Sequence, residues 1–340
     1  MRCPTAPTDA SGRWAALAEV NADGPQSGAG QLCLFGTDSD GAAPRRGQSR
    51  RAGGQPRHRP DRPRVCVLGS GSGGNATVIT HGGRAMLIDA GFGPATIDKR
   101  LTQAGLGTTP LTTICLTHLD RDHFRPGWPA AALARGVTVY LHHWHLPELA
   151  AMAGGPALLD AGLVEPIADE PVNPLPGVAA SAVRVQHDMQ GTLAYRLWDD
   201  RVAIGYATDL GHAPTKLIAH LSGVDLLCLE ANYDPHLTRT SARPAFVNRR
   251  NMSTSGHLSN AQACRAAQQI ADRSPIGRPE RIVLLHRSRE CNHPKTVRRA
   301  FAEAPDLADR VILTHQRRRS RWIHPSALSP MRRGQLRLTL

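Results

Sequence analysis

The six residues His118-Leu119-Asp120-Arg121-Asp122-His123 carry two histidines and two aspartates. Imidazole nitrogens and carboxylate oxygens together make a ligand set suited to zinc, manganese or iron. The apolar run Thr113-Ile114-Cys115-Leu116 precedes them and Arg125-Pro126-Gly127 follows. The run has the length and β-branched content of a buried strand, and Pro and Gly end the turn. Four ligand-type side chains thus occupy one short loop at a strand end, a place where sites are built. A polar loop with incidental charges is the plainer reading, and it leaves their density unexplained.

A two-metal hydrolase needs more ligands than one loop offers, and they must arrive from other strand ends. Three stand in order: His187 beyond Ala182-Val183-Arg184-Val185, Asp209 beyond Val202–Tyr206, and His286 beyond Ile282–Leu285. A lone histidine after a strand is more often structural than catalytic. A series of such residues after a dense cluster reads as a metal centre.

Further segments carry a resemblance to a known family. They are Leu68-Gly69-Ser70-Gly71-Ser72-Gly73-Gly74-Asn75, Leu87-Ile88-Asp89-Ala90-Gly91 and Ala207-Thr208-Asp209. Leu229-Glu230-Ala231-Asn232, Gly256-His257-Leu258-Ser259-Asn260 and Leu285–Asn292 complete the set. With the loop at 118–123 they resemble the metallo-β-lactamase superfamily, whose signature is H-x-H-x-D-H, then a separate His, an Asp and a final His. The Gly/Ser loop and the Gly-His-Leu-Ser-Asn segment resemble its YycJ-like (WalJ-like) branch of DNA exonucleases. The resemblance spans roughly residues 64–325.

The resemblance implies an α/β fold, a metallo-β-lactamase-like αββα sandwich of two packed mixed β-sheets with helices outside and the site at one edge. It implies two divalent metal ions, zinc, manganese or iron. His118, Asp120 and His187 would hold one. Asp122, His123 and His286 would hold the other, with Asp209 shared. Hydroxide formed there would attack phosphorus in line. Asp122 and His257 are the expected catalytic residues, His257 by contacting the scissile phosphate or protonating the leaving oxygen. A purely structural role for His257, holding the loop before its helix, stands beside that reading. Ser70, Ser72 and Asn75 are expected to line the substrate pocket, although a tight glycine turn alone explains their loop. His142, His143 and His145 are expected to be structural. One departure matters: the family has His where this chain has Asp120. An oxygen ligand there makes one metal position harder and less zinc-like. The superfamily's flavodiiron proteins also carry a carboxylate at that place.

The expected function is metal-dependent phosphodiester hydrolysis, as a DNA exonuclease linked to repair or replication. The alternatives are a superfamily hydrolase of a small ester or cyclic phosphodiester, and a DNA- or clamp-binding relative impaired by Asp120.

The net charge of the 340 residues is +13, which favours polyanionic partners, nucleic acid first. Arginines crowd residues 45–64 and recur at Arg317, Arg318, Arg319, Arg321, Arg332, Arg333 and Arg337. Solvated tails would show the same composition. The seven cysteines have no C-x-x-C spacing and an odd count, so they read as buried thiols in a reducing compartment. Met1-Arg2-Cys3-Pro4 leads into no apolar stretch, and no run is long enough to span a membrane. The expected location is cytoplasmic.

Residues 1–62 are Gly-, Pro- and Arg-rich without periodicity and are expected to be a disordered tail. Within them Gln31-Leu32-Cys33-Leu34-Phe35 resembles the Q-L-x-L-F peptide that docks bacterial repair proteins on the sliding clamp. Gln31, Leu32, Leu34 and Phe35 are its expected contacts. Residues 63–325 form the hydrolase domain and 326–340 a basic tail. Strands are expected at 64–68, 76–80, 85–89, 113–117, 137–141, 193–197 and 224–230. Helices are expected at 97–104, 128–135, 215–221, 259–271 and 296–304, with Ser259 or Asn260 as a cap. Such alternation is an α/β pattern.

Overall fold

The computed structural model describes residues 62–168 and 170–325. The tail at 1–62, Arg62 excepted, lies outside them, and so do the peptide at 31–35 and the basic tail at 326–340.

The strands are built from runs that are apolar at nearly every position, because each sheet is buried on both faces. In β1 (Arg64–Gly69), Val65 and Val67 face one core while Cys66 and Leu68 face another. The same alternation divides β2 (Ala76–His81) and β3 (Arg84–Ile88). It continues in β4 (Leu111–Cys115) and β5 (Thr138–His142). With β6 (Val164–Ile167) these six form one sheet in sequence order. Strands β1 to β3 are antiparallel and β3 to β6 parallel.

The second sheet holds β7 (Val172–Leu175), β8 (Val178–Val185), β9 (Thr192–Trp198), β10 (Ala203–Ala207), β11 (Leu226–Glu230), β12 (Arg281–Leu285) and β13 (Val311–Leu313). Strands β7 to β10 are antiparallel and β10 to β13 parallel. One core cluster lies between the sheets, with Val67, Met86 and Ile88 meeting Tyr195, Tyr206, Cys228 and Val283.

Helices cover the outer faces. Against the first sheet lie α1 (Pro94–Gln103), α2 (Trp128–Arg135), α3 (Leu146–Ala151) and α4 (Gly155–Asp160), through Ile97, Leu101, Trp128, Leu149 and Leu158. After α5 (Thr215–Leu221) come two short helices, α6 (Pro235–Arg239) and α7 (Ala245–Asn251). Then follow α8 (Asn260–Asp272), α9 (Pro294–Phe301) and α10 (Pro305–Ala308). Leu217, Leu221, Ala267, Ile270, Val297 and Phe301 bury α5, α8 and α9 on the second sheet. The result is the expected two-sheet sandwich with helices outside.

The differences are local. Strands β6, β7 and β13 and helices α3, α4, α6, α7 and α10 were not expected from the pattern; each is eight residues or shorter, and most carry proline near the start. The strand expected to reach Thr117 ends at Cys115, which frees Thr117 to turn toward Asp89. Ser259 is the cap of α8, in a reciprocal capping box with Gln262. Among the described residues no helix is long and apolar enough to cross a membrane. The five described cysteines are free and buried.

Strands β1, β3, β4, β8, β10, β11 and β12 all run in one sense within their sheets. Ser70, Asp89, His118–His123, His187, Asp209, Glu230 and His286 each stand at or just beyond such a strand's C-terminal end.

Candidate metal centre

Backbone conformation aims the side chains. Asp89, Asp188, Asp209 and His286 hold φ between 42° and 61°, and they are the non-glycine residues with positive φ among those described. That region is unfavourable for residues with a Cβ and is tolerated where surrounding structure enforces it. All four lie in the site. Gly91 follows β3 because a Cβ there would overlap the Asp122 carbonyl. Asn75 N donates to that same carbonyl at 2.8 Å, and Ala90 N to the His123 carbonyl at 2.6 Å. The loop at 118–123 is thereby fixed against the loops after β1 and β3.

Each histidine is held through Nδ1. His123 Nδ1 meets Asp89 Oδ2 at 2.8 Å, and Asp89 also accepts from Thr117 N at 2.8 Å. His118 Nδ1 meets Thr117 Oγ1 at 2.9 Å, and His187 Nδ1 donates to the Gly256 carbonyl at 2.9 Å. His286 Nδ1 lies 2.9 Å from Asp209 Oδ1 and 3.1 Å from Glu230 Oε1. This leaves Nε2 for the centre. The Nε2 atoms of His118 and His286 are buried and have no hydrogen-bond partner. A buried imidazole nitrogen without a partner is costly, and a cation would satisfy it. The donor set therefore fits divalent metal ions.

Of the groups whose ligand atoms lie within 4.8 Å of one another among the described residues, two bear on the expected pair of ions: His118, His187 and Asp209, and Asp122, His123 and His286. Asp209 reaches toward both. Its Oδ2 is 3.0 Å from His123 Nε2, and its Oδ1 is 4.0 Å from His187 Nε2. The second group is the set expected from the sequence. In the first, Asp209 stands with the two histidines, while Asp120 joins His187 and Asp188 in a neighbouring group. Asp120 Oδ2 is 3.6 Å from His118 Nε2, on a side chain half exposed.

Charge explains the protonation pattern of these groups. Burial alone would lower His123, but Asp209 and Asp89 on either side of its ring outweigh it and raise it well above the ordinary histidine value. His286 is likewise raised against burial by Asp209, Asp122 and Glu230. Burial would raise Asp209, yet His286 and His123 hold it well below the usual carboxylate range. The neighbouring His118 ring depresses Asp120 to about 2, against the effect of burial. Burial lowers His187.

His257 closes the centre on the side of α8. Its Nδ1 donates to Glu230 Oε1 at 2.8 Å and lies 3.4 Å from Asp209 Oδ1. Of the residues expected to line a pocket, Ser72 is exposed. Ser70 and Asn75 are buried and occupied: Ser70 Oγ donates to Asn75 Oδ1 at 2.9 Å and accepts from His286 N at 2.7 Å. Asn75 Nδ2 lies 3.0 Å from His123 Nε2. Both brace the ligand loops rather than facing a cleft.

The cleft itself, of about 580 Å³, opens beside His118, Asp120 and His187 and is walled by His145, Glu148, Asp188, Met189, Gln190 and Arg250. His145, expected to be purely structural, is thus a wall of the cleft. Glu230, Asp89 and Asp188 were not among the expected site residues. Glu230 binds His257, His286, Leu210 N and Leu258 N through one fully buried carboxylate.

Residues 84–286 match the family model described as the beta-lactamase superfamily domain. The chain belongs to that family, as a hydrolase of the metallo-β-lactamase fold. It is similar to exodeoxyribonuclease YycJ of Bacillus anthracis, 25% identical over 240 residues that cover 70% of this chain and 87% of the relative. It is similar as well to exodeoxyribonuclease WalJ of Streptococcus pneumoniae, 25% identical over 236 residues, 67% of this chain and 83% of that one. Among solved structures, Zn(2+)-bound PqqB from Methylobacterium extorquens superposes with a TM-score of 0.58 at 17% identity, covering 76% of this chain and 99% of that one; the likeness is one of fold.

Proposed function

We propose that this protein hydrolyses phosphodiester bonds of nucleic acid, DNA in the first place, with two divalent metal ions at the centre, and that it does so as an exonuclease of repair or replication in the cytoplasm. The observation that carries the reading is the convergence of His118, His187, Asp122, His123 and His286 around Asp209, with the buried Nε2 atoms of His118 and His286 lacking hydrogen-bond partners. The relatives named exodeoxyribonuclease support the substrate class.

His118, His187 and Asp209 would hold one ion, with Asp120 as a further oxygen donor; Asp122, His123 and His286 would hold the other. Bound ions lower the pKa of water and offset charge on phosphoryl oxygens. The chain's residues supply the rest. Asp89, Thr117 and Gly256 fix ring orientation, so the Nε2 atoms are set before substrate arrives. Glu230 accepts from Nδ1 of His257, so Nε2 is the atom through which His257 gives a proton to the leaving oxygen. Ser72, exposed on its glycine loop, is left to contact substrate. The Gln31–Phe35 peptide is proposed to dock on the sliding clamp, on sequence grounds alone.

The test is cleavage of linear DNA by chelated protein with Mn²⁺, Zn²⁺ or Fe²⁺ restored, alongside metal content. His118→Ala or Asp209→Ala should abolish cleavage and lower bound metal while circular dichroism stays unchanged. Undiminished cleavage by either variant defeats the site assignment. Metal-restored cleavage of a small phosphodiester but of no polynucleotide would move the substrate to the small-molecule class.

A further inference from the structure

The cleft beside His118 and Asp120 has a rim that the hydrolytic chemistry does not use. Arg250 of α7 lines it and pairs with Asp188 on the opposite loop. Without Arg250, an acidic side chain would face any phosphate entering there. Phe246 stands four residues before Arg250 on the same helix, so the two share one face about a turn, 5.4 Å, apart. Phe246 is 67% exposed, and among the described residues no ring or cation stacks on it. Met189, on the rim itself, is 96% exposed. Trp144, the other exposed aromatic near the cleft, already has the Arg184 guanidinium 3.5 Å over its ring. Arg249 is exposed beside Arg250.

An exposed ring flanked by cations at the edge of a cleft is the arrangement on which unpaired bases stack while their phosphates are held. We propose that α7 is a landing platform for a single-stranded polynucleotide: a base stacks on Phe246, Arg249 and Arg250 take the adjoining phosphates, and the strand runs from there into the cleft past Met189. The partner is single-stranded because stacking on a protruding ring requires an unpaired base face, whereas a paired duplex offers this helix only its backbone. The inference rests on the nucleic-acid reading of the centre and adds to it the form of the substrate and its direction of entry.

The experiment uses the full-length, metal-loaded protein and a phosphorothioate-linked oligothymidylate, so that the probe is not consumed. Binding is followed by fluorescence anisotropy beside a blunt duplex of equal length. Phe246→Ala should weaken single-strand binding roughly 5- to 150-fold, the range that base–aromatic stacking gives on alanine substitution. Phe246→Trp should restore it, and duplex binding should not move. Turnover of bis(p-nitrophenyl) phosphate, which has no polynucleotide strand to lie along α7, should match wild type for the Phe246 variants, showing the centre undisturbed. Unchanged single-strand affinity, or equal losses for both probes, overturns the proposal. Wild-type protein that binds the single strand with this dependence on Phe246 but cleaves no DNA would overturn the nuclease reading and leave the platform standing.

Discussion

Glu230 is one carboxylate that braces His257, His286 and the turns at Leu210 and Leu258. With Asp89 and Asp209 it surrounds the rings of His123 and His286, which in the absence of metal hold protons. His123 and His286 are raised, so contacts of their charged rings stabilise the metal-free protein in full below the unfolded histidine value. Those contacts are lost as pH climbs through the raised folded values. A divalent ion needs the same nitrogens unprotonated, and its uptake releases the protons. Chelated protein should therefore lose thermal stability from about pH 6.5 upward, while its gap to metal-loaded protein widens. Thermal midpoints recorded with and without metal across that range would show it, and a constant gap would refute it. The histidines and aspartates of 118–123 were legible because ligand types at close spacing declare themselves. Glu230 also had a signal: a carboxylate closing the wholly buried run Leu226–Glu230 must have partners. Asp188 had none, since a positive φ and a pairing with Arg250 are products of tertiary structure.

Gly91 illustrates how an element, rather than a ligand, sets the geometry. It lets the loop after β3 touch the backbone of Asp122, and backbone cannot swing aside as a side chain can. Gly91→Ala should cost roughly 1–3 kcal/mol through overpacking and should weaken metal binding by displacing Asp122 and His123. Urea denaturation together with metal titration would measure both, and a variant with wild-type metal affinity would contradict the argument. At this scale the central strands were readable because burial on two faces leaves few polar interruptions. The edge elements were not. Strands β6 and β7 are four residues each and contain proline, and α3, α4, α6, α7 and α10 are too short for a 3.6-residue period to repeat. The platform on α7 therefore lay in a stretch the sequence pattern left blank.

Across the whole molecule, positive charge runs ahead of what the fold requires. Arg243 reaches Glu290 at 2.7 Å and joins the loop before α7 to the loop after β12. That second loop and the segment beyond β13 bring Arg287, Arg289, Arg317 and Arg318 around His315, where burial and their combined field lower its pKa. Removing residues 326–340 takes away Arg332, Arg333 and Arg337. If these meet phosphates, the slope of log affinity for DNA against log salt should fall by roughly 0.9 for each lost contact. Equal slopes for the truncated and intact chains would assign that tail to solubility alone. A different consequence follows from where the centre's residues originate. His118, Asp122 and His123 stand on a loop that follows a strand of one sheet, and His187, Asp209 and His286 on loops that follow strands of the other, so an ion seated between them would rivet the seam of the sandwich. Stripping the metal should let that seam breathe, and the loss would register first as proteolytic nicking of loops on both sides, well before either sheet comes apart.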